Sequence, residues 1–203
     1  MFDATLNQRL KSPLQAVALR LLDWGLKADH LTWVGFVIGL LSVPLIALGM
    51  SQWALITIFL NRLADGLDGT MARLTQPTDR GAFLDIALDF LFYASIPMAF
   101  ALAEPDQHAL ASTVLLFSFV GTGSSFLAFA VLAAQRGLSS AAYAGKGIYY
   151  LGGLTESTET ITVFVLMCLW PEAFSVLAYG FSALCALTIL TRIATGMQVF
   201  RPD

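Results

Sequence analysis

The stretch Leu31–Asn61, L-T-W-V-G-F-V-I-G-L-L-S-V-P-L-I-A-L-G-M-S-Q-W-A-L-I-T-I-F-L-N, carries no formal charge along its whole length. About 20 predominantly apolar residues cross a bilayer. The run is broken only near Gly49-Met50-Ser51-Gln52, so it predicts two membrane helices joined by a tight turn.

The rest of the chain has the same character. Of 203 residues, 57% are hydrophobic and 12% are charged, where a soluble domain carries about 25% charged residues. Mean hydropathy is +0.74. These values exclude an ordinary soluble domain and predict an all-α integral membrane protein. Spans are expected near 31–49, 52–73, 81–103, 109–135, 148–170 and 173–196. No basic segment followed by a short apolar run and a small-residue cleavage site opens the chain, so no cleaved signal peptide is expected. Cys168 and Cys185 both lie in apolar runs and read as buried free thiols.

Ahead of the first span, Leu6, Leu10, Leu14, Val17 and Leu21 recur at helical spacing, with Arg9, Lys11, Arg20 and Asp23 off that stripe. Ser12-Pro13 resembles an N-cap and first helical position. Two readings are open: an amphipathic helix in the membrane interface, or a helix packing its stripe on the bundle. The expected organisation is a juxtamembrane amphipathic helix over 1–28 and a six-helix transmembrane domain over 29–203.

Basic residues set the orientation. Arg9, Lys11, Arg20 and Lys27 precede the first span, Arg73 and Arg80 follow the second, Arg136 and Lys146 follow the fourth, and Arg201 follows the sixth. The turns near Gly49, Glu104-Pro105-Asp106 and Pro171-Glu172 contain no Lys or Arg. The positive-inside rule then puts both termini and the even-numbered loops in the cytoplasm, in a bacterial inner membrane.

Function is concentrated at the facing ends of the second and third spans, in D-G-L-D-G-T-M-A-R-L-T-Q-P-T-D-R-G-A-F-L-D-I-A-L-D, residues 65–89. A carboxylate at the bilayer centre costs roughly 2.5–3.5 kcal/mol. Four unpaired ones would cost on the order of 10–14 kcal/mol, comparable with the stability of a whole domain. Asp65, Asp68 and Ala72 share a helical face, with Arg73 beside it. Asp85 and Asp89, four apart, share a face of the next helix. A short connection over 74–80 makes the two helices antiparallel neighbours, so the acids can converge. Oxygen-only donors suit Mg²⁺ or Mn²⁺, and four carboxylates suffice for a two-metal site of the kind that serves phosphoryl transfer. Gly69, Ala72 and Gly81 leave room for a phosphate or flat ligand close to the backbone. A structural alternative pairs the acids with Arg62, Arg73 and Arg80.

The spacing D-x-x-D-G-x-x-A-R-x(7)-G-x-x-x-D-x-x-x-D resembles the signature of the CDP-alcohol phosphatidyltransferase family, with all eight positions present. The resemblance implies two divalent ions, a CDP-linked donor, release of CMP and a homodimer. Carried onto this chain, it makes Asp65, Asp68 and Asp85 metal ligands. Asp89 becomes the general base that deprotonates the acceptor hydroxyl, or alternatively a fourth ligand. Asp65, Asp68, Gly69, Ala72, Arg73 and Gly81 would form the cytidine-diphosphate pocket. At the start of the first span, Leu31-Thr32 matches the family's Pro-Asn-x-Leu-Thr, while Asp29-His30 stands in place of its Pro-Asn. The expected reaction is transfer of a phosphatidyl group from CDP-diacylglycerol to a small alcohol.

Residues outside the motif leave the acceptor open among serine, inositol or its phosphate, and glycerol phosphate. The spacing Asp85, Asp89, Tyr93, Pro97 resembles the phosphatidylserine synthase branch. Glu156 and Glu159, at i and i+3 near the fifth span, are candidates for acceptor binding or for capping the helix. Arg136 and Lys146 are candidates for an anionic acceptor or for ordinary topology signals. Gly121, Gly123, Ser124 and Ser125 form a small-residue face suited to helix packing or dimerisation. His30 and His108 read as tolerated polar residues. No nucleic-acid partner is expected. Two rival functions remain: a phosphotransferase using CDP-choline or CDP-ethanolamine with diacylglycerol as acceptor, and a cation transporter that uses the intramembrane carboxylates as an ion path.

Overall fold

The computed structural model describes residues 2–138 and 154–201, with side chains from residue 12 onwards. The described elements are helical: α1 (Phe2–Asp23), α2 (Ala28–Leu40), α3 (Ser42–Ala47), α4 (Ser51–Leu74), α5 (Asp79–Ala103), α6 (Pro105–Gln135), α7 (Ser157–Leu169) and α8 (Phe174–Val199). The runs Ala28–Ala47, Asp79–Ala103, Pro105–Gln135 and Pro171–Val199 are long and apolar enough to cross a membrane. α4 has 24 residues, about 36 Å at 1.5 Å per residue, and carries its charges towards one end. Phe117 and Val176 sit within long helices yet are 76% and 75% exposed. Such outward apolar side chains belong in lipid, and the fold is an all-α integral membrane bundle.

Three sequence expectations need correction. The first span is two helices, because Pro44 has no N–H to donate to the Leu40 carbonyl. The chain kinks at Leu41, where the Ser42 hydroxyl donates to the Gly39 carbonyl at 2.6 Å. The predicted turn then follows: Gly49, at φ +74°, donates to the Ile46 carbonyl and Met50 donates to that of Leu45, a left-handed helix stop. Second, Ser12-Pro13 does not start a helix, since α1 begins at Phe2 and runs through Pro13. The ring removes a single i to i−4 bond, and good helix formers on both sides carry the helix past it. Third, α7 starts later than expected, at Ser157 behind its Glu156 cap, and spans 13 residues, about 20 Å; residues 148–153 of the expected span lie outside the described ones.

Of the α1 stripe, Leu14 and Leu21 pack with Ala18 against Leu67 and Met71 of α4, whereas Val17 is 45% exposed. Leu6 and Leu10 lie outside the described side chains. α1 is thus seated on the bundle beside the acid-bearing end of α4.

One buried stripe of α4 joins core to site: Ala54, Ile58, Asn61, Asp68 and Met71 all face inward. At its apolar end the core holds Phe92, Ile96 and Phe100 of α5 with Phe164 of α7 and Phe174 of α8. Phe100 and Phe174 stack at 4.4 Å, and His108 lies buried against Phe174 at 4.8 Å. The small face of α6 is used within the chain. A Cβ at Gly121 would come within 2.5 Å of Ile189, and one at Gly123 within 2.8 Å of Phe90. On α2, a Cβ at Gly39 would meet the Asn61 amide nitrogen and the Phe92 ring, each at 2.9 Å.

Gly39→Ala is expected to destabilise the bundle by about 1–3 kcal/mol through overpacking. Gly180→Ala has no neighbour within 4 Å and should be neutral or slightly stabilising, since alanine is the better helix former. Thermal unfolding of the two variants in detergent micelles checks the contrast.

Candidate metal and phosphotransfer site

α4 and α5 are linked by only a few residues. The Thr78 hydroxyl caps α5 by accepting from the Gly81 amide at 3.0 Å. Side-chain capping of the first turn fixes where α5 starts, and with it the register of its acids. One carboxylate oxygen from each of Asp65, Asp68 and Asp85 lies within 4.8 Å of the other two. Asp68 is buried, Asp65 half-buried and Asp85 exposed, so the cluster opens towards one side. Asp89 joins these three in lining a small, partly open cavity, with Thr32 and Gly35 of α2 on the facing wall. All four predicted acids are therefore brought together.

The structural alternative is realised for one of its three arginines. Arg62 donates from Nη2 to Asp89 Oδ1 at 2.6 Å and from Nη1 to Asp65 Oδ2 at 3.5 Å. Its Nε donates to Asn61 Oδ1 at 2.8 Å, and Asn61 Nδ2 donates to the Gly35 carbonyl at 2.9 Å. Arg80 turns instead to Asp29 at 3.2 Å and is 75% exposed. Arg73 turns to the Thr70 hydroxyl at 3.1 Å. A Cβ at Gly69 would lie 3.3 Å from Arg73 Nη1, so the glycine makes room for this guanidinium. Ala72 is half-buried beside it.

The acceptor candidates lie apart from the acids or have local partners. Glu156 and Glu159 form a reciprocal capping box at the start of α7, with the Glu156 amide donating to Glu159 Oε2 at 3.1 Å. Arg136, at the end of α6, donates to the Val199 carbonyl at 3.4 Å and lies over the Phe200 ring. Lys146 lies outside the described residues. His30 Nδ1 accepts from the Lys27 amide at 3.3 Å, a cap for α2.

Several polar groups find their partners only in the fold. Tyr93 hydroxyl donates to Asp89 Oδ2 at 3.4 Å and shares a 2.7 Å hydrogen bond with Ser157, tying α7 to the acids. Arg192 is buried on α8 and donates to the Thr122 carbonyl at 3.0 Å. Its available signal was a formal charge inside the last apolar run. Beside Arg62 a cleft lined by Leu55, Ile58, Phe59, Ile161 and Val165 opens between α4 and α7.

The family model for CDP-alcohol phosphatidyltransferase matches residues 26–198. The chain belongs to the CDP-alcohol phosphatidyltransferase family. It is 55% identical over 197 residues to the inner membrane protein YnjF of Escherichia coli (strain K12), covering 97% of this chain and 95% of that one. An archaetidylinositol phosphate synthase of Pyrococcus horikoshii is 26% identical over 189 residues, 93% of each chain. The fold is shared with Mycobacterium tuberculosis phosphatidylinositol phosphate synthase, solved with CDP-DAG bound. The TM-score is 0.72 at 22% identity, over 91% of this chain and 93% of that one. A second structure of that synthase, in complex with manganese and citrate, matches with a TM-score of 0.71 at 22% identity, over 90% and 88%. The chain is thus an enzyme of phospholipid synthesis with CDP-alcohol phosphatidyltransferase activity, a family that uses divalent metals. That assignment displaces the cation-transporter reading.

Glu159→Gln keeps an acceptor for the Glu156 amide and should leave stability unchanged, while Glu159→Ala should lose about 1 kcal/mol with the cap. If capping is its whole role, turnover by the Gln variant stays at the wild-type level. Melting curves and CMP release measured side by side on both variants check this.

Proposed function

We propose that this enzyme transfers a phosphatidyl group from CDP-diacylglycerol to the hydroxyl of a small alcohol, releasing CMP. The observation that carries the reading is the convergence of three carboxylates, with Asp89 alongside, in a cavity that shares Arg62 with an apolar cleft between α4 and α7. A diphosphate headgroup with two acyl chains needs these two environments side by side. The CDP-DAG bound to the mycobacterial fold relative supports the same donor.

The donor set fits a hard divalent cation, since it is carboxylate oxygen only and the oxygens lie within reach of a common centre. Asp65, Asp68 and Asp85 would hold two Mg²⁺ or Mn²⁺ ions, which supply charge neutralisation on the diphosphate as it cleaves. Asp89, held beside that cluster, accepts the proton of the acceptor hydroxyl as its oxygen attacks the lipid-bearing phosphorus. Gly69, Ala72, Arg73 and Gly81 line the approach of the cytidine diphosphate. The Arg73 guanidinium over Gly69 presents a cation to it.

The distribution of Lys and Arg supports cytoplasmic termini and a cytoplasmic site, and the E. coli relative's name supports an inner-membrane location. Residues 1–28 then form a juxtamembrane element on the site side, and 29–203 the transmembrane domain, working as a homodimer. The acceptor belongs to the class of small hydroxylated headgroups. Arg136, Lys146, Glu156 and Glu159 are the residues outside the motif proposed to meet it.

Purified enzyme with Mg²⁺ or Mn²⁺ should release CMP from CDP-diacylglycerol with one member of a panel of serine, inositol, inositol phosphate, glycerol phosphate and choline. Asp68→Asn and Asp85→Asn, nearly isosteric changes, should each lower turnover at least about a hundredfold, in the range typical of lost transition-state electrostatics. CMP released only from CDP-choline or CDP-ethanolamine, with diacylglycerol as acceptor, would reverse the donor assignment. Full activity in either Asn variant would overturn the ligand assignment.

A further inference from the structure

We propose that Ser157, at the head of α7, binds the lipid end of the donor, its hydroxyl donating to an acyl ester carbonyl where the acid cavity meets the apolar cleft. The inference rests on the reading of CDP-diacylglycerol as the donor. Ser157, Ile161 and Val165 stand at i, i+4 and i+8 on α7 and share one helix face. Ile161 and Val165 line the cleft together with Leu55, Ile58 and Phe59 of α4. Ser157 continues that face one turn further, to the end where Arg62 lines both the cleft and the acid cavity. In a diacyl lipid, the groups between the diphosphate and the hydrocarbon are the glycerol and its two esters. An ester carbonyl only accepts hydrogen bonds, so a site for it needs a donor at this junction.

The hydrogen bonds there end in such a donor. Arg62 Nη1 donates to the Tyr93 hydroxyl at 3.2 Å, and a guanidinium has no accepting atom, so this bond runs one way. The Tyr93 proton has two acceptors in reach, Ser157 Oγ at 2.7 Å and Asp89 Oδ2 at 3.4 Å. The shorter contact has the length of a full O–H···O bond and the longer lies beyond the usual range. The proton therefore goes chiefly to Ser157, which accepts it and keeps its own to donate. Each bond in such a chain polarises the next, which strengthens the last O–H as a donor. The tyrosine ring is held between Phe92 at 5.8 Å and Phe164 of α7 at 6.2 Å, so the chain has a fixed direction. It runs outward, from half-buried Arg62 and Tyr93 to exposed Ser157. A fixed donor heading an apolar wall suits a chain-bearing molecule whose polar atoms next to the chains are acceptors. A small alcohol brings no chain for Ile161 and Val165.

The test compares CDP-diacylglycerol with its dialkyl ether analogue, which has the same headgroup and chains but lacks both carbonyls. Each lipid displaces radiolabelled CDP-diacylglycerol from purified full-length protein in detergent with Mn²⁺ and no alcohol. Wild type should bind the diacyl form about fivefold more tightly, the size of one neutral hydrogen bond. Ser157→Ala should bind the diacyl form about fivefold more weakly and the dialkyl form within about twofold of wild type, so that the preference disappears. Ser157→Thr keeps a hydroxyl and should keep the preference. Tyr93→Phe leaves Ser157 its proton but breaks the chain, and should narrow the preference to about twofold. Equal affinity of the wild type for the two lipids would overturn the proposal. So would an equal loss for both lipids in Ser157→Ala, which would make the residue a support for α7 alone. An intact ester preference in Ser157→Ala, with a raised KM for the alcohol in the CMP-release assay, would overturn it too and give the hydroxyl to the acceptor. Binding of neither lipid, with CMP released from CDP-choline instead, would overturn the donor reading and this inference with it.

Discussion

Three carboxylate oxygens from two helices lie within 4.8 Å of one another in an apolar bundle, with a fourth aspartate in the same cavity. Ionised carboxylates at that separation repel by about 3 kcal/mol per pair at the effective dielectric of a protein surface. Helix packing must hold them against that force until cations arrive. The short link between α4 and α5, capped by Thr78, fixes the register of the two acid-bearing helices. The inward stripe of α4 then anchors one end of the helix in the aromatic core through Ile58 and presents Asp68 at the other. α1 adds a second clamp on the outer side of the same turn, through Ala18 against Leu67 and Met71. α2 closes the wall by close approach, since Gly35 and Gly39 leave no space for a side chain between it and α4. Apart from the Thr78 cap, these contacts are apolar or steric, so the site's geometry is imposed from outside its charges.

Much of this was legible in the sequence because it depends on period and composition. The uncharged run over 31–61 predicted the first hairpin, and the i, i+3 and i+4 spacings of the aspartates predicted facing acid stripes. Family and fold followed from the same residues. What was missed depends on single atoms. Pro44 breaks the first span because one N–H is absent, a defect that hydropathy averages away. Pro13 misleads in the opposite direction: a local cap signal is overridden when favourable residues extend a helix on both sides. Glu156 and Glu159 present the same acids whether they cap a helix or meet a ligand, and the amide contact at 3.1 Å, which makes the cap, is visible only in the fold.

The arginines make the point most sharply. Arg62, Arg73 and Arg80 are equivalent in sequence as cations flanking an acidic motif. In the fold, burial divides them. The pair of Arg80 with Asp29 is exposed on the arginine side, where screening and side-chain entropy leave little net stabilisation. Arg62 is enclosed, and removing either member of its pair with Asp89 would strand a buried charge. Such a pair is weak grounds for stability, because two well-packed apolar side chains would serve as well. Asn61, Phe92 and Tyr93 all contribute to fixing one guanidinium orientation. The groups whose direction it sets are Asp89 and Asp65, one outside and one inside the three-carboxylate cluster.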